Sequence, residues 1–211
     1  MELSEQNDSL EELLSRAKAG DFQAFQYIVA QLQPRVYRLA YRIVQQREDA
    51  EDATQQTFSA MIEHLSDFRG ESQLSTWVMR IATNFALKIL RKKRNDKSVL
   101  WTDLARDETY ANIPHPEFIA PWALTPDEIL SRAEVRFQIE QALANLDDKY
   151  RLVFVLRDIE EFSVRQTAEM LGITEGTVKV RLLRARLALR EQLTREFGDA
   201  SKAVEADRNH S

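Results

Sequence analysis

The spacing of hydrophobic and polar residues predicts a chain built of helices. Apolar positions in the first half recur every three or four residues over five successive segments, which is the spacing of amphipathic helices. Ser9 with Glu12 has the form of a capping box, and Gly20 follows an apolar run where helices commonly end. We therefore predict an all-α fold.

The limits of the individual helices follow from their caps and breakers. Asp21 is expected to cap a second helix, and Pro34 is expected to begin a third. A fourth helix is predicted over 48–65 with Ile62 buried, and a fifth over about 75–94. Its predicted inner face consists of Val78, Ile81, Ala82, Phe85 and Ile89, and Trp77 is also expected in the core.

A proline-containing linker divides the chain into two helical domains. Four of the five prolines fall between 114 and 126, in a stretch that has neither helical nor strand periodicity. Its apolar residues indicate that it lies against its own domains or against a partner. The predicted organisation is a disordered N-terminus (1–9), a first domain (10–96), a linker (97–124), a second domain (125–197) and a disordered tail (198–211).

The second domain contains the most informative pattern in the chain. Ala168, Gly172 and Val178 have the spacing of a DNA-binding helix-turn-helix, although helical bundles with a glycine corner also arise without DNA binding. On a helical wheel at about 100° per residue, one side of the last helix is apolar. This predicted buried side consists of Val178, Leu182, Ala185 and Leu189, and Lys179, Val180, Leu183 and Arg184 fall on the outer side.

Charge is segregated along a chain whose net charge is −5. Residues 88–97 carry six bases and one acid, and residues 174–190 carry five bases and one acid. Residues 103–131 carry six acids and one base. Two basic patches separated by an acidic stretch indicate two contacts with a polyanion, whereas a single such run is more often only a solvated helix face.

Composition excludes several classes of protein. The absence of cysteine excludes disulfides and thiolate metal sites, and neither a signal peptide nor a membrane-spanning apolar run is visible. We therefore expect a soluble cytoplasmic protein. The three histidines are far apart and no glycine-rich phosphate loop occurs, so we predict no enzyme activity, no cofactor, no metal and no small-molecule substrate.

Two blocks of sequence resemble the sigma-70 family of RNA polymerase sigma factors. The block LDDKYRLVFVLRDIEEFSVRQTAEMLGITEGTVKVRLLRARLALREQL is similar to region 4, and REDAEDATQQTFSAMIEHLSDFRGESQLSTWVMRIATNFALKILRKKR is similar to region 2. Their order and the short linker resemble the extracytoplasmic-function (ECF) subgroup. The resemblance covers roughly 10–96 and 125–195.

This resemblance implies partners and binding residues. Region 2 is expected to dock on the clamp helices of the polymerase largest subunit through Asp49, Glu51, Asp52 and Gln56, although acids there also suit the helix dipole. Region 4 is expected to contact the polymerase flap. For the −10 promoter element, the implied DNA contacts are Ser75, Thr76, Asn84, Lys88, Arg91, Lys92 and Arg94. For the −35 element, they are Thr177, Lys179, Val180, Arg181, Leu183, Arg184 and Arg186.

The subgroup also implies inhibition by an anti-sigma factor, free or membrane-bound. We predict that this partner contacts an exposed apolar patch made of Val180, Leu183 and Leu187, together with Trp122 of the linker. The alternative is that the patch packs on the chain's own region 2. The alternative function is that of a regulator that binds an operator without polymerase. It would not explain the acids at 49–52 or the basic segment 88–97.

Overall fold

The computed structural model describes residues 9–94, 118–119, 133–197 and 204–205. Contacts divide the chain into two compact units, Met1–Lys93 and Arg94–Ser211. The first unit contains helices α1 (Leu10–Lys18), α2 (Phe22–Val44), α3 (Arg47–His64, followed by a 3-10 turn over Leu65–Asp67) and α4 (Leu74–Arg94). The second contains α5 (Ala133–Ala144), α6 (Asp148–Phe154, continued by a π turn over Val155–Ile159), α7 (Val164–Leu171) and α8 (Glu175–Phe197).

The helix caps predicted in the first unit are present. The Ser9 hydroxyl accepts from the Glu12 amide at 3.3 Å, and the Ser9 amide donates to the Glu12 carboxylate at 2.9 Å. Asp21 accepts from the amides of Gln23 and Ala24 at 3.0 and 3.1 Å. The hydrogen bond from Ala24, together with that from Arg16, holds the pKa of the Asp21 carboxyl below its ordinary value.

The prediction that Pro34 begins a new helix is wrong. Helix α2 continues through Pro34, although proline has no amide hydrogen to donate to the preceding turn. The buried positions Ile28, Leu32, Val36 and Leu39 keep one helical phase across the proline, and Pro34 itself faces solvent. Packing of this continuous apolar side against α1 and α3 outweighs the lost hydrogen bond.

Two predictions of buried faces in the first unit need correction. Ile62 is 57% exposed, because α3 turns Ala53, Thr57 and Met61 inward and places Ile62 about 100° from Met61 and farther still from the other two. Helix α4 is rotated by a similar angle from its predicted orientation. Its buried residues are Val78, Met79, Ala82, Thr83, Ala86, Leu87 and Leu90, whereas Ile81, Phe85 and Ile89 are half-buried.

The prediction of the buried side of α4 was wrong because that side includes small and polar residues. Ala82 and Ala86 are fully buried, and small side chains allow close approach of a neighbouring helix. The Thr83 hydroxyl donates to the carbonyl oxygen of Met79 at 2.8 Å, so its burial leaves no unsatisfied donor. A pattern analysis that ranks large apolar residues first misses such a face.

The second unit follows the predicted caps and core closely. Leu152, Val153 and Leu156 are buried as predicted. Ser163 and Gln166 form a capping box, and Gly172 ends α7 with a φ of +68°, which glycine adopts without strain. The predicted helix start at residue 125 lies outside the described residues.

One arginine of the second unit is buried although the sequence did not predict it. Arg151 is buried, donates to the carbonyl oxygen of Leu146 at 3.1 Å, and pairs with Asp148. Burial lowers the pKa of its guanidinium to about 10, because the charged form loses hydration. The hydrogen bond to Leu146 joins α6 to the turn between α5 and α6.

A pair of two-residue antiparallel strands, β1 (Phe118–Ile119) and β2 (Val204–Glu205), was not predicted. It connects a piece of the predicted linker to a piece of the predicted tail. The helices of both units confirm the all-α prediction. The other residues of the predicted linker, 97–117 and 120–124, lie outside the described part of the chain. Among the described helices, none has the length and apolarity that a membrane crossing requires.

Candidate nucleic-acid interface

Helix α4 presents a polar and basic stripe on its exposed side. Asn84, Lys88 and Arg91 are exposed and lie within about 60° of one another on the wheel, with Lys92 about 80° from Asn84. Arg80 is exposed one turn before Asn84 and extends the same stripe to a length of about 18 Å. Arg80 was not among the predicted DNA contacts, although its spacing of four residues from Asn84 places it on the same side of the helix.

The loop before α4 is anchored to the helix by aromatic contacts. The rings of Phe68 and Trp77 lie 5.3 Å apart, and the amino group of Lys18 donates to the carbonyl oxygen of Phe68. Trp77 is half-buried in this contact, in partial agreement with the prediction that it belongs to the core. Ser75 and Thr76 lie half-buried in the first turn of α4. The side chain of Arg94 lies outside the described residues.

Acidic residues at the beginning of α3 differ in how accessible they are. The Asp49 carboxylate lies 2.5 Å from the Lys93 amino group, which also donates to Gln46 at 2.6 Å, and its side chain is only 13% exposed. Asp52 and Glu51 are exposed, and Glu51 pairs with Arg47 at 2.8 Å. Asp49 is thus engaged within the unit, whereas its two neighbours face solvent.

Gln56 contacts one of these exposed acids. Its amide donates to the Asp52 carboxylate at 2.9 Å, one turn earlier on α3. The contact orients both side chains on the same side of the helix, where Asp52 remains exposed and Gln56 is half-buried.

The helix-turn-helix of the second unit is formed by α7, the turn at Gly172 and α8. Val178 and Leu182 pack against Val153 of α6 and Ala168 of α7. Further along α8, Ala185 and Leu189 pack against α5, so the predicted buried side is confirmed over its whole length. The Thr174 hydroxyl accepts from the Thr177 amide at 3.2 Å and caps α8, as predicted.

The predicted outer side of α8 is only partly exposed. Lys179 is exposed and Leu183 is 37% exposed, but Val180 is 2% exposed. Arg181, which the resemblance adds to the −35 contacts, is 1% exposed. Thr177 is also buried, and its hydroxyl is hydrogen-bonded to that of Thr174. The wheel assumed a helix covered along one side, whereas α8 is also covered along a second side that contains Thr177, Val180 and Arg181. The prediction of an exposed Val180 is therefore wrong, and Leu187 is half-buried.

Two arginines predicted to contact DNA have partners within their own unit. Arg186 donates from Nε and from its terminal nitrogen to the two carboxylate oxygens of Asp158, both at 2.8 Å. This hydrogen bonding raises the pKa of the Arg186 guanidinium. Arg184 donates to the Tyr150 hydroxyl at 3.3 Å. Lys179, Leu183 and Arg186 are the exposed members of the predicted set, and of these Arg186 is held by Asp158.

Comparison with known proteins matches the two units to two family descriptions. Residues 28–95 match the model "Sigma-70 region 2", and residues 136–189 match "Sigma-70, region 4". The chain is 36% identical over 180 residues to the ECF RNA polymerase sigma factor SigW of Bacillus subtilis, covering 85% of this chain and 94% of SigW. It is 30% identical over 177 residues to the ECF RNA polymerase sigma factor SigE of Mycolicibacterium smegmatis, covering 84% and 64%.

A solved structure shares the fold. The sigma factor RpoE in complex with the anti-sigma factor NepR from Bartonella quintana superposes with a TM-score of 0.54 at 24% identity. The match covers 81% of this chain and 96% of RpoE.

Proposed function

We infer that the chain acts as an alternative sigma factor, since it belongs to the extracytoplasmic-function subgroup of the sigma-70 family. A sigma factor of this family binds core RNA polymerase and promoter DNA and directs transcription initiation. The observation that carries the assignment is the order of the two matched segments, region 2 before region 4, each on its own helical unit. We place its activity in the cytoplasm with the polymerase and assign it no catalytic role.

We assign the exposed stripe of α4 to the −10 element. Asn84 has an amide that can both donate to and accept from a base edge, and the loop before α4 would complete a pocket for an extruded base. Lys88, Arg91 and Lys92 would neutralise phosphates, and exposed Arg80 extends this set. We retain Ser75, Thr76 and Arg94 as further contacts with the −10 element.

We assign the helix-turn-helix to the −35 element, with Lys179 and Leu183 as first contacts. Lys179 can bind a guanine edge or a phosphate, and Leu183 can contact a thymine methyl group. Thr177, Val180 and Arg181 are buried in the described structure, so their direct contact with DNA would require them to be uncovered. Arg184 and Arg186 would first have to leave Tyr150 and Asp158.

We assign polymerase docking to the exposed acids of α3. The clamp helices would contact Asp52, its hydrogen-bonded neighbour Gln56, and Glu51. Asp49 would instead keep its ion pair with Lys93. The substitution Asp52→Lys should weaken binding to core polymerase without changing the stability of the chain. The matched variant Asp67→Lys, at another exposed acid of the same unit, should bind core normally.

We propose that an anti-sigma factor controls the chain, as NepR is bound to RpoE in the related structure. Leu183 and half-buried Leu187 are the described members of the predicted surface, and Trp122 lies outside the described residues. Leu187→Glu should weaken inhibitor binding more than −35 binding, and Arg190→Glu serves as the control on the same helix. Loss of promoter binding with intact inhibitor binding would assign Leu187 to DNA instead.

Run-off transcription with purified core polymerase on a genomic promoter pool tests the main assignment. Transcripts that require both the chain and core polymerase, and that share two upstream sequence elements, are expected. Specific binding of a two-fold symmetric operator by the chain alone, without stimulation of core polymerase, would support the rival regulator.

A further inference from the structure

Helix α2 carries an aromatic and basic surface that the assignments above do not use. Residues 22–46 contain three arginines and no acid. The buried side of α2 includes Ile28, Leu32 and Val36, and Tyr27, Arg38 and Tyr41 lie about 140–180° from Val36 on the wheel. Tyr27 is 58% exposed, Tyr41 is 42% exposed and Arg38 is exposed. These side chains therefore face solvent opposite the core.

Two of the tyrosines form an ordered pair beside Arg38. The rings of Tyr37 and Tyr41 are stacked, with centroids 6.3 Å apart and planes at 20°. Their spacing of four residues holds them on adjacent turns of one helix. We refer to Tyr37, Arg38 and Tyr41 as the tyrosine–arginine face.

Basic side chains lie on and beside this face. Arg47, at the start of α3, lies close enough to Tyr37 to interact with it electrostatically. The carboxylate of Glu51 on the same helix is bound to Arg47 at 2.8 Å. The stretch 22–46 itself carries three arginines and no acid, and this local charge favours the binding of a polyanion.

We propose that the tyrosine–arginine face is a stacking site for single-stranded DNA, on a different helix from the stripe of α4. Tyrosine rings stack on bases of any sequence, and a neighbouring arginine neutralises the backbone, which is how proteins bind single strands without sequence preference. A duplex hides the faces of its bases, so the site selects an open strand. This inference rests on the proposed function for the source of that strand, which is the promoter region melted during initiation.

The test measures fluorescence anisotropy of a fluorescein-labelled 20-nucleotide oligo-dT with the full chain at low salt. The double variant Tyr37→Leu, Tyr41→Leu should bind about tenfold more weakly, since each base–aromatic stack makes a large contribution. The double variant Tyr37→Phe, Tyr41→Phe keeps the rings and should stay within about twofold of the wild type. Arg38→Gln should lower the salt dependence of log K by about 0.7.

Phe137→Leu, at an exposed ring of the second unit, is the matched control and should change nothing. Circular dichroism and thermal unfolding of every variant check that the fold is kept. Absence of oligo-dT binding by the wild type, equal binding by the leucine variant, or an equal loss in the phenylalanine variant would overturn the proposal. Unchanged oligo-dT binding with weakened binding to core polymerase would assign the face to a protein partner.

The sigma factor assignment and the stacking site can be rejected independently. Run-off transcription and core binding by the wild-type chain test the sigma factor assignment, and oligo-dT binding does not depend on polymerase. Transcription without tyrosine-dependent binding would reject only the stacking site. Tyrosine-dependent binding without transcription would reject only the source of the strand.

Discussion

Helices α4 and α8 are both predicted to contact DNA, yet they differ in how much of their circumference is covered. Helix α4 is buried along one side and leaves Asn84, Lys88 and Lys92 exposed on another. Helix α8 is buried along two sides, and Arg186 of its predicted DNA contacts is bound to Asp158. The bases of the two helices thus meet different surroundings, although both segments are similarly rich in positive charge.

This difference shows where a helical wheel works and where it does not. A wheel locates the most apolar side, which is correct for α8, as Val178 and Ala185 show. It then assumes that the opposite side is exposed. That assumption fails when a helix has neighbours on more than one side, and Val180 is buried on a side that the pattern identifies as outer.

The largest effect should come from a charge on the buried side of α8. Val178→Asp would bury an unpaired carboxylate and cost about 3–5 kcal/mol, a large part of the stability of a small domain. Limited proteolysis should then cleave within 133–197 while the first unit stays protected. The neighbouring exposed variant, Lys179→Asp, should remain resistant, and equal resistance of both variants would contradict the burial described for α8.

A change on the exposed side of α4 should leave the fold intact and affect promoter opening. Asn84→Ala removes a base-edge hydrogen-bonding group and should cost about 1–3 kcal/mol in open-complex formation. Permanganate footprinting with core polymerase measures the effect. Asn145→Ala, at an exposed asparagine of the second unit, is the matched control. Normal melting with the Asn84 variant would remove Asn84 from the assigned −10 contacts.

The second covered side of α8 can be tested through stability alone. Val180→Ala removes two buried methyl groups and should lower the free energy of unfolding by about 2 kcal/mol. Leu183→Ala, at a partly exposed position three residues later, removes more atoms but should cost less than about 1 kcal/mol. Urea denaturation ranks the two variants. An equally small loss for Val180 and Leu183 would favour the helical wheel, which places both on the outer side, and a larger loss for Leu183 would contradict the burial described for Val180.

The smallest effect is expected for the ion pair between α3 and α4. A double-mutant cycle with Asp49→Asn and Lys93→Met should give a coupling of about 0.2–1 kcal/mol, because half of the Lys93 side chain remains exposed to solvent. The more exposed pair of Arg47 and Glu51 serves as the comparison and should couple more weakly. Thermal unfolding of the single and double variants gives both values. No coupling between Asp49 and Lys93 would return Asp49 to the set of free docking acids.

Much of the fold could be predicted from local sequence, because its determinants act over a few residues. The helix caps at Ser9, Asp21 and Ser163 form because each side chain accepts hydrogen bonds from backbone amides two or three residues ahead. The left-handed turn at Gly172 depends on glycine alone. Such local features involve few neighbours, so the chain specifies them by itself. Asn84 and the bases near it were assigned to DNA from the resemblance to region 2, whereas the apolar pattern placed the buried side of α4 about 100° from where it lies.

Only the tertiary structure decided which competing faces were buried. Pro34 lies within α2 because an apolar side continues on both sides of it, and α4 turned its small residues inward in place of Ile81 and Phe85. Arg186 pairs with Asp158, which lies 28 residues earlier, and Lys93 pairs with Asp49. The sequence pattern gives no sign that these distant positions meet. Burial and ion pairing depend on what the neighbouring helices bring into contact, and a one-dimensional pattern does not contain those neighbours.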